Sequence, residues 1–544
     1  MFSYNRLREI ARIRLRRWKN NRQVRNIAIQ VGHRSQPGAG VQPVIFFNAS
    51  TRLVGMSLNA SYSLLTSWAL RLQVIPVIYY VCNAGMSRCV LGINRDDFQQ
   101  PPPCRACKAQ SRWLFSRGDV RTFGYSQNSS LLAALQNLSL AELIEFEYPF
   151  TGGNPSSPTT LPLGKLILPS IRWVLRRHNL IDDEPTRHLY QEYILSAYNL
   201  AQDFNRLLEN TPPQAVVLFN GQFFPEATAR WIANRYNIMS ITHEVGLQPF
   251  SAFFTTGEAT AYPLEIPASF ELSPQQNKKL DDYLEQRFHG QFSMAGIRFW
   301  PEMKGLDQAF ERKAAGFKQI VPVFTNVIFD TSQPHSNAVF PDMFAWLDLV
   351  LKIAAAHPET LFVIRAHPDE NRPGKESRES VQQWAEHNKV ADFPNIIYIG
   401  PGESLSSYEL IQRSKFVMIY NSTIGLEASL MGAAVLCAGR ARFTQLDTVF
   451  FPQTIQEFSQ SAEQFLNAPA IQVPLKYKHN ARRFLYYQLY RSSLPFGDFI
   501  EPDLMPGFVH LRPFALESLS PSLRLVTDGI LHGRPFLLED QDEV

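Results

Sequence analysis

Residues 415–439, KFVMIYNSTIGLEASLMGAAVLCAG, contain two buried, strand-like runs on either side of a short helical segment. Asn421, Ser422 and Thr423 end the first strand and open the helix, so they place amide and hydroxyl groups at the helix end that attracts anions. Glu427 follows Thr423 by four residues and shares its helix face, one turn deeper. With a phosphate at the helix start, this carboxylate would lie about where a ribose sits. The stretch therefore predicts a parallel α/β sheet that binds a nucleotide at one edge.

The same alternation continues on both sides of this stretch and predicts a doubly wound sheet. Strands are predicted at 319–330, 360–368 and 395–400, and helices at 341–356 and 376–388.

Two further loops follow strands of this sheet and carry polar groups. VIRAHPDE places Arg365 and His367 just past a strand, where they are suited to neutralise a phosphate. GPGESLSSYEL places Ser406 and Ser407 before a helix. Each loop also has a structural interpretation, namely a turn-forming His-Pro pair and an ordinary serine N-cap.

The first half of the chain shows a second, less regular α/β series. Strands are predicted at 43–50, 74–82, 214–222 and 238–246, with helices over about 168–210 and an irregular stretch over about 83–165. A chain of 544 residues exceeds the size of one hydrophobic core, so several domains are expected. We expect a basic arm, two α/β domains and a C-terminal extension, with the bounds 1–39, 40–315, 316–480 and 481–544.

Three motifs in the second half, in this order and spacing, resemble the capsule polysaccharide biosynthesis family. They are RAHPDE (365–370), SSYELI (406–411) and NSTIGLEASLMGAAV (421–435). The resemblance extends over about residues 210–445 and takes in TNVIFD (325–330) and NGQFFPEATARWIANRYNIMSITHEVG (220–246).

This family comprises glycosyltransferases of the GT-B fold, including Kdo transferases. The resemblance therefore implies two Rossmann-like α/β domains facing a cleft, an acceptor-side domain over 40–315 and a nucleotide-sugar donor domain over 316–480. It also implies a C-terminal extension, 481–544, that packs back on the first domain. It implies that the His-Pro loop and the Ser/Thr-rich loop bind the nucleotide-sugar donor, through Arg365, His367, Ser422, Thr423 and Glu427.

Such a transferase needs a general base on the acceptor side, and ITHEVG at the end of a predicted strand offers Glu244 first and His243 next. Asp96 and Asp97 are the other carboxylates considered. A hydrogen-bonded pair that stabilises the domain junction is the alternative interpretation of His243 and Glu244.

The predicted function is transfer of a sugar from a nucleotide-activated donor to a surface polysaccharide or lipid-linked acceptor, without a cofactor for catalysis. Asp96 and Asp97 do not form a metal-binding DxD motif, and GT-B enzymes as a class need none. A nucleotide-sugar 2-epimerase of the same fold and a non-catalytic glycan-assembly subunit are the alternatives.

Four of the five cysteines lie within 26 residues, around a proline run. Cys82, Cys89, Cys104 and Cys107 include one Cys-x2-Cys pair, which is half of a structural zinc site. We therefore predict one structural zinc that pins an irregular loop. Free thiols and a redox pair are the alternatives.

The first 25 residues carry nine Arg or Lys and one Glu, while the whole chain has a formal charge of +4. Leu7, Ile10, Ile13 and Trp18 recur near helical spacing, which predicts a basic amphipathic helix for an anionic membrane surface. A solvated basic helix is the alternative. We expect no nucleic-acid partner and a cytoplasmic protein, peripheral at the inner membrane face, since no apolar leader follows the charges.

Overall fold

The fold was determined as a computed structural model that describes residues 4–36, 38, 40–49, 54–153, 157–288, 305–372, 374 and 376–539. The ends of the predicted arm (1–3) and extension (540–544), and residues 289–304 of the chain between the two predicted domains, lie outside the described residues.

The helices precede, separate and follow two sheets. In chain order they are α1 Tyr4–Arg34, α2 Leu58–Leu72, α3 Cys104–Leu114, α4 Ser129–Leu135, α5 Leu140–Ile144, α6 Leu163–Leu175, α7 Glu184–Asn210, α8 Phe224–Arg235, α9 Pro274–Phe288, α10 Gln308–Ala314, α11 Gln333–Ser336, α12 Met343–Ala356, α13 Val381–His387, α14 Ser407–Gln412, α15 Ile424–Leu430, α16 Ile455–Asn467, α17 Leu475–Tyr486, α18 Leu519–Ser522 and α19 Arg524–His532. Within the described residues, none of these helices is both long and apolar enough to cross a bilayer.

The strands are short and mostly buried. They are β1 Val44–Asn48, β2 Val77–Cys82, β3 Asp119–Phe123, β4 Tyr148–Gly152, β5 Ser157–Leu161, β6 Ala215–Phe219, β7 Met239–Val245, β8 Ser251–Thr256, β9 Gln319–Phe324, β10 Thr360–Arg365, β11 Ile396–Ile399, β12 Val417–Ile419, β13 Val435–Cys437, β14 Leu494–Pro495, β15 Ile500–Pro502 and β16 Val509–Leu511.

The second sheet contains five parallel strands in the order β11-β10-β9-β12-β13. The chain runs outward from β9 to β11 and then returns to β12 on the other side of β9. This reversal leaves a crevice between the carboxyl ends of β9 and β12, which is where open α/β sheets bind ligands.

The first sheet has the order β14-β8-β7-β6-β1-β2-β3, and the pairs from β7 to β3 are parallel. Alternate residues of its strands enter different cores. Ile45 and Phe47 pack into one cluster and Val44 and Phe46 into another, which is the pattern of a sheet buried on both faces. Its own reversal point lies between β1 and β6. The predicted α/β class with two Rossmann-like sheets is confirmed.

The C-terminal segment returns to the first sheet, as the sequence predicts. Strand β14 pairs antiparallel with β8, and α18 and α19 pack on α2. Buried side chains between Leu494 and Phe536 therefore belong to the same core as β1 and β2.

The stretch 83–165 is not irregular, so this expectation was wrong. It contains α3, α4, α5 and the β4–β5 hairpin, and β3 extends the first sheet by pairing with β2. The exposed pattern of β3, with four exposed residues before buried Phe123, lacks the apolar run that marks a strand in sequence.

Candidate active site

The carboxyl ends of the two sheets meet at a junction, called the cleft below, where β6 and β7 of the first sheet face the loops that follow β9 and β13. Asn220 and Gly221 turn the chain after β6 with φ of 48° and 83°, a left-handed conformation that asparagine and glycine tolerate. The Asn220 amide donates to the Thr331 hydroxyl of the second sheet's loop at 3.5 Å. The reversal point of the first sheet thus touches the loop of the second.

Glu244 lies at the carboxyl end of β7 in this cleft. Burial raises the pKa of its carboxyl to about 7, although hydrogen bonds from the Val245 N–H (3.1 Å) and from Asn220 act in the opposite direction. Asp330, in the loop after β9, raises this pKa further, and Arg442, after β13, lowers it. Charges from the second sheet therefore act directly on Glu244.

His243 points to the other side of the same strand. It is 1% exposed, and its ring packs near Phe254, with ring centroids 5.3 Å apart, and near Tyr62. Burial lowers its pKa to about 3, so the ring stays neutral, and its Nδ1 lies 3.2 Å from the Asn59 amide oxygen. This is the environment of a packing histidine.

A second set of polar contacts crosses the cleft beside Glu244. His335 of α11 lies 3.1 Å from Glu258 and 3.1 Å from the Thr260 hydroxyl. Burial would raise the pKa of Glu258, but hydrogen bonds from His335 and Arg230 outweigh it and bring the pKa to about 2. This ionised carboxylate ties the two sheets together.

Arg365 ends β10 and contacts the loop before α14, whereas His367 follows the strand by two residues and contacts its own loop. Arg365 is 6% exposed, and its guanidinium donates to the carbonyl oxygens of Leu405 and Glu403. Nδ1 of His367 accepts the Asp369 N–H at 3.2 Å, which makes Nε2 the N–H nitrogen of the neutral ring. Burial lowers the His367 pKa, with Asp369 and Asp330 acting in the opposite direction. Asp330 therefore lies near both His367 and Glu244.

The Ser/Thr-rich loop lies at the crevice of the second sheet. Asn421 accepts a hydrogen bond from Asn326 at 2.7 Å and donates to Ser336 at 2.6 Å, so it joins the loops that follow β9 and β12. Ser422 is buried, whereas Thr423, before α15, is exposed. The structure thus brings the predicted groups to the reversal point.

Ser406 and Ser407 open α14. The Ser406 hydroxyl caps this helix by accepting the Glu409 N–H at 3.3 Å, and both serines are less than 10% exposed. This geometry is that of the N-cap considered from the sequence. Arg365 holds the loop before α14 through its bonds to Leu405 and Glu403. Arg365 and Ser406 therefore both have structural contacts in this loop.

Glu427 is 5% exposed and already has strong partners. Its Oε1 accepts from Arg287 of α9 at 2.9 and 2.5 Å, and its Oε2 accepts from the Tyr408 hydroxyl at 2.6 Å. A ribose would have to replace one of these donors, so ribose binding stays a prediction.

The four clustered cysteines line one cavity, of about 20 Å³, together with Met86 and Lys108: Cys82, Cys89, Cys104 and Cys107. Cys82 ends β2, while Cys104 and Cys107 lie in the first turn of α3. Burial raises the pKa of Cys82 and of Cys89 to about 12. Within the described residues, no three His, Cys, Asp or Glu side chains are arranged to hold a metal ion.

Asp96 and Asp97, the other carboxylates considered as the base, lie elsewhere. They line a groove of about 490 Å³ with Arg95 and Arg177, and Asp96 pairs with Arg378 at 2.7 Å.

Asp330 and Arg442 were not among the predicted site residues. Asp330 closes the TNVIFD motif, and its place in a motif of the resemblance was a usable signal, although the predicted strand 319–330 included it and β9 ends at Phe324. Arg442 follows a buried strand within GRARF (439–443), and nothing in that pattern shows that its guanidinium lies 3.5 Å from the centroid of the Tyr262 ring across the cleft.

The second sheet is the part of the chain that matches a known family. Residues 283–471 match the family model described as capsule polysaccharide biosynthesis protein. The resemblance predicted from the motifs is confirmed over these residues, about a third of the chain. A curated relative, Protein FixF of Sinorhizobium fredii, is 34% identical over 108 residues, which are 20% of this chain and 23% of that protein.

Among solved structures, a β-Kdo 2,7 transferase, KpsC of Thermosulfurimonas dismutans, is 12% identical with a TM-score of 0.32 over 60% of this chain and 89% of that one. A putative UDP-N-acetylglucosamine 2-epimerase of Listeria monocytogenes is 11% identical, with a TM-score of 0.27 over 91% of this chain and 98% of that one.

Proposed function

We propose that this protein is a glycosyltransferase that moves a sugar from a nucleotide-activated donor to a surface polysaccharide or lipid-linked acceptor. The observation that carries the proposal is Glu244, a partly buried carboxylate with a pKa of about 7 in the cleft, facing the strand ends of the family-matched sheet. A general base works best when its pKa is near the working pH.

In the proposed reaction, the Glu244 carboxylate takes the proton of an acceptor hydroxyl. The hydroxyl oxygen forms a bond to the anomeric carbon of the donor sugar, and the bond from that carbon to the phosphate oxygen breaks. The nucleotide leaves with the bonding electron pair. His243 is not assigned this role, because it is enclosed by aromatic rings and its pKa is about 3.

On the donor side, the Nε2–H of His367 and the exposed Thr423 are the groups proposed to contact the phosphates. Arg365, Ser406, Ser407, Asn421 and Ser422 are proposed to shape this donor site. We propose that hydrogen-bond donors at the strand ends stabilise the leaving phosphate and that the step uses no metal ion.

The donor is tested by thermal-shift measurements with UDP-, GDP-, CMP- and dTDP-sugars. At 100-fold excess over its dissociation constant, the true donor should stabilise the protein by about 2.7 kcal/mol. Stabilisation by none of these nucleotides contradicts the proposal.

The base is tested with Glu244→Gln. We expect donor binding to be retained and transfer to fall by about 10²–10⁴-fold, since the amide cannot accept the proton. Glu265→Gln, at an exposed position, is the matched control and should transfer normally. Consumption of the donor without acceptor, with inversion at C2, would instead show an epimerase. Donor binding without turnover would show an assembly subunit.

An anionic membrane surface is proposed as a second partner, which suits a lipid-linked acceptor and a protein peripheral to the inner membrane face. This proposal depends on helix α1.

A further inference from the structure

We propose that the solvent-facing side of α1 binds the surface of an anionic lipid bilayer. The outer face of α1 is defined by Leu7, Ala11, Leu15 and Trp18. This inference does not rest on the proposed transferase activity.

The second half of α1 fixes the orientation of the whole helix. Val24, Ala28 and Val31 are fully buried against α2, α3 and the C-terminal segment. Asn20 accepts the Leu511 N–H at 2.8 Å, and Gln23 donates to the Arg512 carbonyl at 2.9 Å. These contacts fix the rotation of α1 about its own axis. The side of α1 opposite Val24, Ala28 and Val31 therefore faces solvent.

The side of α1 that faces solvent carries a row of apolar residues along the helix axis. Leu7, Leu15 and Trp18 are 55%, 52% and 50% exposed, and Ala11 is exposed between them. Their spacing of four, four and three residues places all of them on one face of a helix. An amphipathic helix that packs only on its own protein has its apolar face inward, but α1 has apolar residues on both sides.

Cations flank this line. By helical position Arg14 lies on one side of it and Arg12 and Lys19 on the other, and all three are exposed. Within the described residues these three side chains have no carboxylate partner, and the guanidinium of Arg22 lies 5.6 Å from the Trp18 ring centroid. Residues 1–25 carry nine cations, whereas the remainder of the chain is net negative by four.

An anionic bilayer matches both features at once. Lipid phosphates pair with the flanking cations while the leucines and Trp18 enter the boundary between headgroups and acyl chains. A nucleic acid would contact the cations but leave the leucine line in water. A second copy of the same face would place like charges against each other.

The test uses the full-length protein and co-sedimentation with vesicles of phosphatidylcholine alone and of phosphatidylcholine with one-quarter phosphatidylglycerol. We expect salt-sensitive binding to the anionic vesicles and little to the neutral ones. Arg12→Glu/Arg14→Glu should weaken anionic binding by more than about 25-fold, since each cation contributes about five-fold near such a surface. Leu15→Glu/Trp18→Glu should also lose binding.

The controls change exposed residues outside α1. Leu475→Glu (93% exposed) and Lys478→Glu, both on α17, should bind as the wild type does. Equal binding to neutral vesicles, or unchanged binding by both α1 variants, would overturn the proposal. So would a concentration-dependent dimer in sedimentation velocity that Leu15→Glu/Trp18→Glu abolishes, because the face would then be covered by a second copy.

Discussion

Glu244 derives its proposed role from neighbours on both sheets. Burial alone raises its pKa well above that of an exposed glutamate, and the Asn220 hydrogen bond and the Arg442 charge limit the rise to about 7. Each pKa unit corresponds to about 1.4 kcal/mol of preference between the two protonation states. Small changes in charge at the cleft should therefore move the pH range of activity.

Asp330→Asn and Arg442→Gln test this in opposite directions. The base must be ionised, so activity should rise as the pH increases through about 7 in the wild type. Asp330→Asn removes a negative charge and should shift this rise to lower pH. Arg442→Gln removes a positive charge and should shift it to higher pH.

The measurement is the pH dependence of kcat/KM for each variant. Shifts of the same sign in both, or no shift in either, would contradict the assignment of Glu244 as the titrating base. Asp369→Asn is a useful comparison, because Asp369 is not among the groups that shift Glu244.

At the scale of elements, the contacts of Glu427 join three helices. Arg287 of α9 and Tyr408 of α14 both donate to this carboxylate on α15, and the two side chains of the ion pair are 16% and 7% exposed. Removing one partner of a buried pair costs about 3–5 kcal/mol, because the other charge stays buried. Glu427→Gln should therefore lower the thermal unfolding midpoint. The sequence did not show that Glu427 is paired with Arg287, so it did not predict this loss of stability.

The double variant Arg287→Leu/Glu427→Leu is the control, since replacing both charges by apolar groups is often close to neutral. It should be more stable than Glu427→Gln. A nucleotide affinity that is lost in Glu427→Gln but kept in Arg287→Leu would support ribose binding by this carboxylate.

A structural zinc in the cysteine cavity stays a proposal. Four thiols from β2, the following loop and α3 surround a space of about 20 Å³, and four thiolates are a suitable donor set for zinc. The thiols would have to draw together, since no metal-holding group is present among the described residues. We expect about one zinc per chain by elemental analysis, and its loss in Cys104→Ser.

Cys437→Ser provides the matched control, because Cys437 is buried in β13 and bonds to the Tyr420 and Gly439 carbonyls. Zinc content should not change in this variant. Metal-free protein with four titrating thiols in the cavity would falsify the site.

Much of the second sheet could be predicted because its elements are short apolar runs separated by turn residues. Strands β10 to β13 and α12 to α15 lie where the pattern placed them, whereas β9 ends at Phe324 and not at residue 330 as predicted. What the sequence did not show is which polar groups satisfy each other. The sequence predicts Arg365 as a phosphate ligand. In the structure its guanidinium donates to the Leu405 and Glu403 carbonyl oxygens, 38 to 40 residues away in the chain.

At the scale of the whole molecule, a group of contacts away from Glu244 joins the helices that cover the two sheets. The Glu379 carboxylate accepts from the His178 and Asn179 N–H groups at 2.8 and 2.9 Å and from the Asn179 amide at 2.8 Å. Nearby, Arg176 pairs with Glu376 at 2.8 Å. These bonds fix the loop before α13 to the turn after α6.

Glu379→Ala should loosen this junction, because two backbone N–H groups lose a charged acceptor. We expect faster hydrogen exchange at residues 176–181 and 376–381, measured by mass spectrometry, with the sheet cores unchanged. Glu386→Ala, at an exposed position on α13, is the matched control. Equal exchange in the two variants would mean that Glu379 does not fix the junction.

The return of β14 to the edge of β8 has a consequence for synthesis on the ribosome. About 240 residues separate the two strands, and the side chains from Leu494 to Phe536 that complete this core emerge well after β8. At about 5–20 residues per second, the open edge and its apolar face wait on the order of ten to fifty seconds for their partners. During that interval the nascent chain exposes a strand edge of the kind that chaperones protect. A chain truncated before Leu494 would keep this edge open and aggregate.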